Sequence, residues 1–237
     1  MNLKYKRILL KLSGEALMGK ETFGISAPAI NDYVSEINAI QKIGTQIGIV
    51  VGGGNFYRGV NKNETGVSGL SGDKMGMLAT IMNAIALKDV FELFEIEAKI
   101  QTAFHIPQFA DTFQKEKAIK HLQKGRICIF AGGTGNPLFT TDTAAALRSV
   151  EIGADILIKA TNVDGVYNVD PKKDANAKMF RKISYDECIK KEIQVMDRTA
   201  FVLCKENNIP MIVTNIHKKG NLLKVITGEN IGTLINE

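Results

Sequence analysis

The sequence predicts an α/β fold in which a mostly parallel central sheet carries helices on both faces. Three observations predict it. Short apolar runs rich in Ile and Val are continuous rather than alternating, as suits strands covered on both faces. Stretches with apolar residues at helical spacing separate those runs, and strand–helix alternation is the mark of a parallel sheet. Glycine-rich turns close three of the runs, at the strand ends where open α/β sheets form their ligand crevice.

In chain order, the first strand is expected at 7–11 and leads into Lys11-Leu12-Ser13-Gly14. Pro28 begins a helix to about Lys42, with Ile30, Val34, Ile37 and Ile40 on one stripe. A second strand at 47–51 runs into Gly52-Gly53-Gly54-Asn55. A long helix is expected from Asp73 to about Phe94, its apolar face formed by Met75, Leu78, Ala79, Met82 and Ile85. Strands at 98–103 and 126–130 follow, the second closed by Gly132-Gly133-Thr134-Gly135-Asn136-Pro137. Thr140 to Ile152 reads as helical, with Thr141 and Asp142 as capping candidates. Strands at 155–159 and 210–214 and helices at 185–190 and 196–207 complete the pattern. The irregular stretch 161–181, holding Asp164-Gly165 and Asp170-Pro171, reads as a functional excursion from a single domain spanning 1–237.

Composition narrows the function. Of the 237 residues 45% are hydrophobic, enough to bury a core without staples. No apolar stretch reaches the ~18 residues of a membrane helix. The segment Met1 to Arg7 lacks the apolar core of a signal peptide, so a cytoplasmic location is expected. Cys128, Cys188 and Cys204 are widely spaced and read as reduced thiols. His105, His121 and His217 lack metal-ligand spacing. The net charge of +5 fits a solvated basic surface or a bias toward nucleotide substrates. With no Trp and no RNA-binding aromatic signature, nucleic acid is not an expected partner.

The glycine turns carry the chemistry. Without a Cβ, backbone N–H groups can approach an anion and form a concavity for it. Lys11, ending an apolar strand just before Ser13-Gly14, is either a snorkelling strand-end residue or a cation aimed at a transferring phosphoryl group. Arg58, shortly after Gly54, could grip phosphate bidentately, or be a plain surface arginine. Asp73 and Asp142 read as helix-start acids that could also meet ribose hydroxyls or metal-bound water, while Asp197 reads only as a helix-start residue. The segment Thr134 to Thr141 offers hydroxyls, an amide and an aromatic ring before a helix, suited to a phosphate and a base edge. Gly14 to Lys20 fits G-x-x-x-x-G-K, but Glu21 stands where a P-loop needs Ser or Thr, and no apolar helix follows. Neither glycine turn completes G-x-G-x-x-G either, because Tyr57 and Leu138 interrupt it.

Together these segments resemble the bacterial uridylate (UMP) kinases of the amino-acid kinase superfamily. The resemblance is carried by Tyr5-Lys-Arg-Ile-Leu-Leu-Lys-Leu-Ser-Gly, Val51-Gly-Gly-Gly-Asn, Gly72-Asp-Lys-Met-Gly-Met, Gly133-Thr-Gly-Asn-Pro, Phe139-Thr-Thr-Asp and Lys159-Ala-Thr-Asn-Val-Asp-Gly-Val-Tyr. It implies a three-layer αβα sandwich of the carbamate kinase-like type and the reaction ATP + UMP ⇌ ADP + UDP with Mg²⁺. It assigns Lys11, Leu12, Ser13, Gly14, Gly54 and Arg58 to the ATP phosphates. Thr161, Tyr167 and Asp170 would hold the adenosine. Gly53, Asp73, Thr134, Gly135, Asn136, Pro137, Leu138, Phe139, Thr140 and Thr141 would bind UMP. The catalytic set it implies is Lys11, Arg58, Asp142 and Asp197, with Asp197 orienting Lys11 and Asp142 acting through magnesium and water.

The resemblance further implies a homohexamer, activated by GTP and inhibited by UTP. The stretch Gly19-Lys20-Glu21-Thr22-Phe23-Gly24 resembles one associated with GTP activation. Where the family carries cationic and aromatic residues at an inter-subunit effector site, this chain has Lys88, Glu92, Lys99 and Lys115. Two alternatives remain. A sister kinase acting on carbamate, glutamate or aspartate would share the first two glycine turns, but not Gly72-Asp-Lys-Met or Thr134-Gly-Asn-Pro. A non-catalytic nucleotide binder would have little use for Lys11, Arg58, Asp142 and Asp197 together.

Overall fold

The computed structural model describes residues 3–57, 66–171, 173–174 and 176–237. In chain order its elements are β1 (Arg7–Leu12), α1 (Gly14–Met18), α2 (Ala27–Gln41), β2 (Gln46–Val51), α3 (Gly69–Leu93), β3 (Ala98–Thr102), β4 (Asp111–Thr112), α4 (Lys115–Gln123) and β5 (Ile127–Ala131). These are followed by α5 (Thr141–Ile152), β6 (Ile156–Thr161), β7 (Lys182–Ser184), α6 (Tyr185–Lys190), α7 (Arg198–Glu206), β8 (Met211–Asn215), α8 (Asn221–Thr227) and β9 (Thr233–Asn236). The strands form one sheet in the order β4-β3-β5-β2-β1-β6-β8-β9-β7. Pairing is parallel except between β8 and β9.

The period of two along each strand sorts the core into two layers. Ile8, Leu10 and Leu12 of β1 and Ile156, Ile158 and Ala160 of β6 face α2, α3 and α8. Leu9 and Leu157 face the other way, toward Ala144 and Ala145 of α5 and Phe201 of α7. The result is helix, sheet, helix. By the same alternation, Lys11 falls on the side of Leu9 and Lys159 on the side of Leu157, so both project toward α5. Each fully buried Leu or Ile in these layers contributes about 1.5–3 kcal/mol of apolar burial.

Three expectations need correction. The long helix starts at Gly69 rather than Asp73, because Ser68 caps it by accepting from Ser71 N–H, which leaves Asp73 inside the helix. Its expected apolar face is largely the outward one: Met75, Leu78 and Met82 are exposed, while Ala79, Ile81, Ala84, Leu87 and Phe91 pack on the sheet. This helix is apolar on more than one side, so spacing could not choose which side meets the core. The cap of α5 is Thr140, whose hydroxyl accepts from Asp142 N–H at 3.0 Å, rather than Thr141 or Asp142. The short strands β4, β7 and β9 were not anticipated, since two to four residues carry too little periodic signal.

Candidate active site

Lys11 and Lys159 are register partners on the adjacent strands β1 and β6. Both ammonium groups reach Asp142 in the first turn of α5: Lys11 Nζ lies 2.8 Å from Oδ1 and Lys159 Nζ 2.8 Å from Oδ2. All three side chains are at most 15% exposed. Lys159 also donates to the carbonyl of Val195. Burial alone would raise the Asp142 carboxyl, but the two ammonium groups outweigh it and hold the group below its usual range. Burial, reinforced by the neighbouring charge of Lys11, lowers Lys159 against the pull of Asp142. The cluster is therefore two cations sharing one anion, an arrangement that attracts further negative charge.

Asp197 sets the frame behind this cluster. It caps α7 by accepting from Ala200 N–H at 2.7 Å. Its carboxylate also accepts from the Thr143 hydroxyl at 2.8 Å and 3.0 Å, from Thr143 N–H at 3.2 Å, and from the Thr140 hydroxyl. One carboxylate thus ties the start of α7 to the start of α5. In this geometry the carboxylate on Lys11 is Asp142, and Asp197 acts on the helix that carries Asp142.

The glycine turns meet in front of these residues. Gly14 lies so close to the second turn that an added Cβ would stand 2.6 Å from Gly54 N and from Asn55 Oδ1. A Cβ on Gly53 would stand 2.6 Å from the Gly76 carbonyl oxygen, so only glycine lets the turn after β2 pass this close to α3. A pair of buried amides locks the second turn. Asn83 Nδ2 donates to Gly52 O and Asn55 Oδ1, both at 2.7 Å, and Asn55 Nδ2 donates back to Asn83 Oδ1 at 2.8 Å. Ser13 caps α1 by accepting from Ala16 N–H at 3.2 Å, and Leu12 is wholly buried as the last residue of β1.

A cavity of about 240 Å³ opens between the second and third turns. Among its walls are Gly53, Asp73, Asn136, Phe139, Thr140 and Thr141. Thr134, Gly135, Pro137 and Leu138, in the same segment, do not line it. Asp73 accepts from Leu138 N–H at 2.8 Å, holding that loop against α3, and Leu138 takes a positive φ of 72° there. Gly54 also lines this cavity, although the donor side was expected for it. It is the junction: a Cβ built on it would lie 3.7 Å from Glu15 Cγ, and Glu15 lines the next cavity.

That second cavity, of about 650 Å³, is walled by Lys11, Ser13, Lys159, Thr161, Val195 and His217, among others. A neighbouring space of about 390 Å³ contains Tyr167 and Asp170 in its walls and shares Val163, Gln194 and Val195 with it. Within the excursion, Tyr167 bridges to Met179, and Asn168 N–H donates to Lys178 O at 3.1 Å. The expected adenosine residues thus sit on one continuous surface beyond the lysine pair.

Arg58 lies outside the described residues. The stretch Gly19, Lys20, Glu21, Thr22, Phe23 and Gly24 is an exposed loop after α1. It is tethered to the second turn through Gly24 N–H to Asn55 O at 3.0 Å and through the edge-on contact of Phe23 with Phe56. Lys88 pairs with Glu92 at 2.5 Å and Lys99 with Glu97 at 3.2 Å on the surface. Two participants were not singled out from sequence. Lys159 carried a signal, as a lone cation in the apolar run Ile156-Leu-Ile-Lys-Ala. Asn83 carried none, because one amide inside a helix says nothing about the turn it holds.

A glycine-lined cavity adjoining a second one walled by a buried lysine pair, on an αβα sheet, defines the layout of a two-substrate phosphotransferase. The model of the Amino acid kinase family matches residues 6–215, and the chain belongs to this family. It is similar over 98% of its length to the UMP kinase of Bacillus anthracis, with a TM-score of 0.95, 36% identity and 96% of that chain covered. Against the UMP kinase of Ureaplasma parvum the TM-score is 0.91 at 33% identity, with both chains covered completely. Against the uridylate kinase of Archaeoglobus fulgidus it is 0.73 at 28% identity, covering 96% of this chain and 99% of that one.

Proposed function

We propose that this chain transfers the γ-phosphoryl group of ATP to UMP, giving ADP and UDP, as one domain spanning 1–237. The observation that carries the proposal is a cavity walled by Lys11 and Lys159, which share Asp142, beside a second cavity that it adjoins through Glu15 and Gly54. Similarity to UMP kinases along nearly the whole chain supplies the acceptor's identity.

UMP would lie in the cavity of Gly53, Asp73 and the Thr134–Thr141 segment, with Asp73 toward the ribose. ATP phosphates would lie on Lys11, Leu12, Ser13, Gly14, Gly54 and Arg58, and its adenosine toward Thr161, Tyr167 and Asp170. The acceptor is a phosphate already ionised at neutral pH, so no strong general base is needed. The difficulty is bringing two polyanions together, and catalysis comes from positioning and charge neutralisation. Lys11 and Lys159 supply fixed positive charge in a largely desolvated place, where it is worth more than in water. Asp142 keeps both ammonium groups aimed, and Asp197 fixes the start of the helix that carries it.

Mg²⁺ fits as an ion brought in on the triphosphate. Among the described residues no cluster of three His, Cys, Asp or Glu side chains could hold a metal alone. Asp142 Oδ1, buried and without an aligned hydrogen bond although Lys11 is near, suits the water shell of such an ion. When bound, the ion would neutralise phosphate charge. A homohexamer is supported by the exposed apolar stripe of Leu70, Met75, Leu78 and Met82 on α3, which a second copy would cover. GTP activation through Gly19–Gly24, inhibition by UTP and a cytoplasmic location complete the reading. Among the described residues no helix is long and apolar enough to cross a membrane.

An ADP-release assay with UMP, CMP, dUMP, glutamate, aspartate and carbamate as acceptors tests this function. Turnover highest with UMP is expected. Turnover on an amino acid or carbamate alone would assign a sister kinase, and none on any acceptor a binding protein.

A further inference from the structure

A cavity of about 570 Å³ lies apart from the crevice, beside the sheet edge formed by β9 and β7. Its floor is apolar: Tyr5, Ile212 and Val225 are at most 9% exposed there, and Leu234 of β9 adds to it. Its rim is cationic, with Lys4, Arg181 and Lys182 arriving from two distant chain segments, against the single carboxylate of Glu229. None of these cations has an ion-pair partner among the described residues, in contrast to Lys88, Lys99, Lys117 and Lys205 elsewhere on the protein. Lys4 Nζ lies 5.3 Å from the Tyr5 ring centroid, over the floor.

The walls are fixed before any ligand arrives. Lys4 N–H donates to Ile226 O at 3.0 Å, and Leu234 N–H to Arg181 O at 3.0 Å. Lys182 is held by its register with Leu234. The far wall, 228–232, is pinned at both ends by glycines of positive φ: a Cβ on Gly228 would meet Lys4, and one on Gly232 would meet Val213 O. A concave, preformed space with an apolar floor and a few charged groups is the usual form of a small-molecule site. Arg and Lys together suit a phosphate dianion, the first by bidentate hydrogen bonds and the second as point charges.

We propose that this cavity binds a small organic phosphate, its phosphate on Lys4, Arg181 and Lys182 and its apolar body on Tyr5, Ile212 and Leu234. The site is separate from the catalytic crevice, so its test does not depend on the acceptor's identity. The probe is 1-naphthyl phosphate, followed by its own fluorescence, with the full chain saturated by UMP and a non-hydrolysable ATP analogue. One saturable site per chain is expected. An Arg181→Gln/Lys182→Gln double variant should bind at least about tenfold more weakly while keeping the wild-type circular dichroism and turnover, since both side chains are exposed. Inorganic phosphate should bind at least about tenfold more weakly than the naphthyl ester. No saturable binding, undiminished binding by the double variant, or equal binding of inorganic phosphate would each overturn the proposal.

Discussion

Lys11 and Lys159 face each other across neighbouring parallel strands, and both close on the single carboxylate of Asp142. Like charges side by side on a sheet repel. Here the repulsion is held by an anion delivered from the N-terminal turn of α5, where a carboxylate is itself stabilised by the helix dipole.

From this geometry, replacing either lysine by Met should lower kcat by roughly 10²–10³-fold while leaving the KM for UMP within a few-fold. The double variant should fall by less than the product of the two, because both act through one centre. Steady-state kinetics on the three variants measure it. A fully multiplicative loss would show that the lysines work independently.

Removing the shared carboxylate should cost stability as well as rate. Asp142→Ala leaves two buried ammonium groups without their anion, a loss of about 3–5 kcal/mol. The sign with pH follows from the lowered carboxyl. Its stabilisation is present above the unfolded value of 3.8 and is lost as pH falls through the still lower folded value. Urea unfolding of wild type and variant should therefore differ most near neutrality and converge in strong acid. A constant difference across that range would deny the linkage.

Asp73 should act on the acceptor alone. Asp73→Ala removes both the proposed ribose contact and the anchor on Leu138 N–H. It should raise the UMP KM about tenfold, the worth of one charged hydrogen bond, with the ATP KM little changed. Initial rates with each substrate varied in turn decide it.

Two glycines of the same cavity should respond in opposite ways. Gly53→Ala drives a Cβ to 2.6 Å from the Gly76 carbonyl oxygen and should destabilise the fold by about 1–3 kcal/mol. Gly76→Ala meets nothing within 4 Å inside a helix and should stabilise by about 0.5–1 kcal/mol, yet raise the UMP KM because it narrows the cavity. Thermal melts and kinetics on both variants check the contrast.

The thiols should be silent in the folded chain. Burial pushes Cys128 and Cys204 up to about 12 and Cys188 to about 11, so no thiolate is available at pH 8. A chromogenic disulfide reagent should titrate none of the three in native protein and all three in guanidinium.

Much of this could be read from sequence because strand periodicity and glycine turns are local signals. The β1 run followed by Lys11-Leu12-Ser13-Gly14 fixed both a strand and the end of it that faces the ligand. Three features could not be read in this way. Which side of α3 meets the sheet is decided by packing, and Met75 and Met82 look as apolar as Ile81 in a string. The partner of Lys11 depends on strand order, because Asp142 becomes its neighbour only when β6 lies beside β1 and α5 packs over both. The Asn55–Asn83 lock joins a turn to the middle of a helix, and no spacing rule links residues so placed.

The proposed reaction is phosphoryl transfer to UMP at the lysine pair. Phosphorus NMR of ATP, UMP and Mg²⁺ incubated with the protein tests it most directly. UDP resonances should grow in step with ADP, without inorganic phosphate, and growth should all but cease when Lys11 and Lys159 are both replaced by Met. Inorganic phosphate in place of UDP, or UDP formed at an undiminished rate by that double variant, would contradict it.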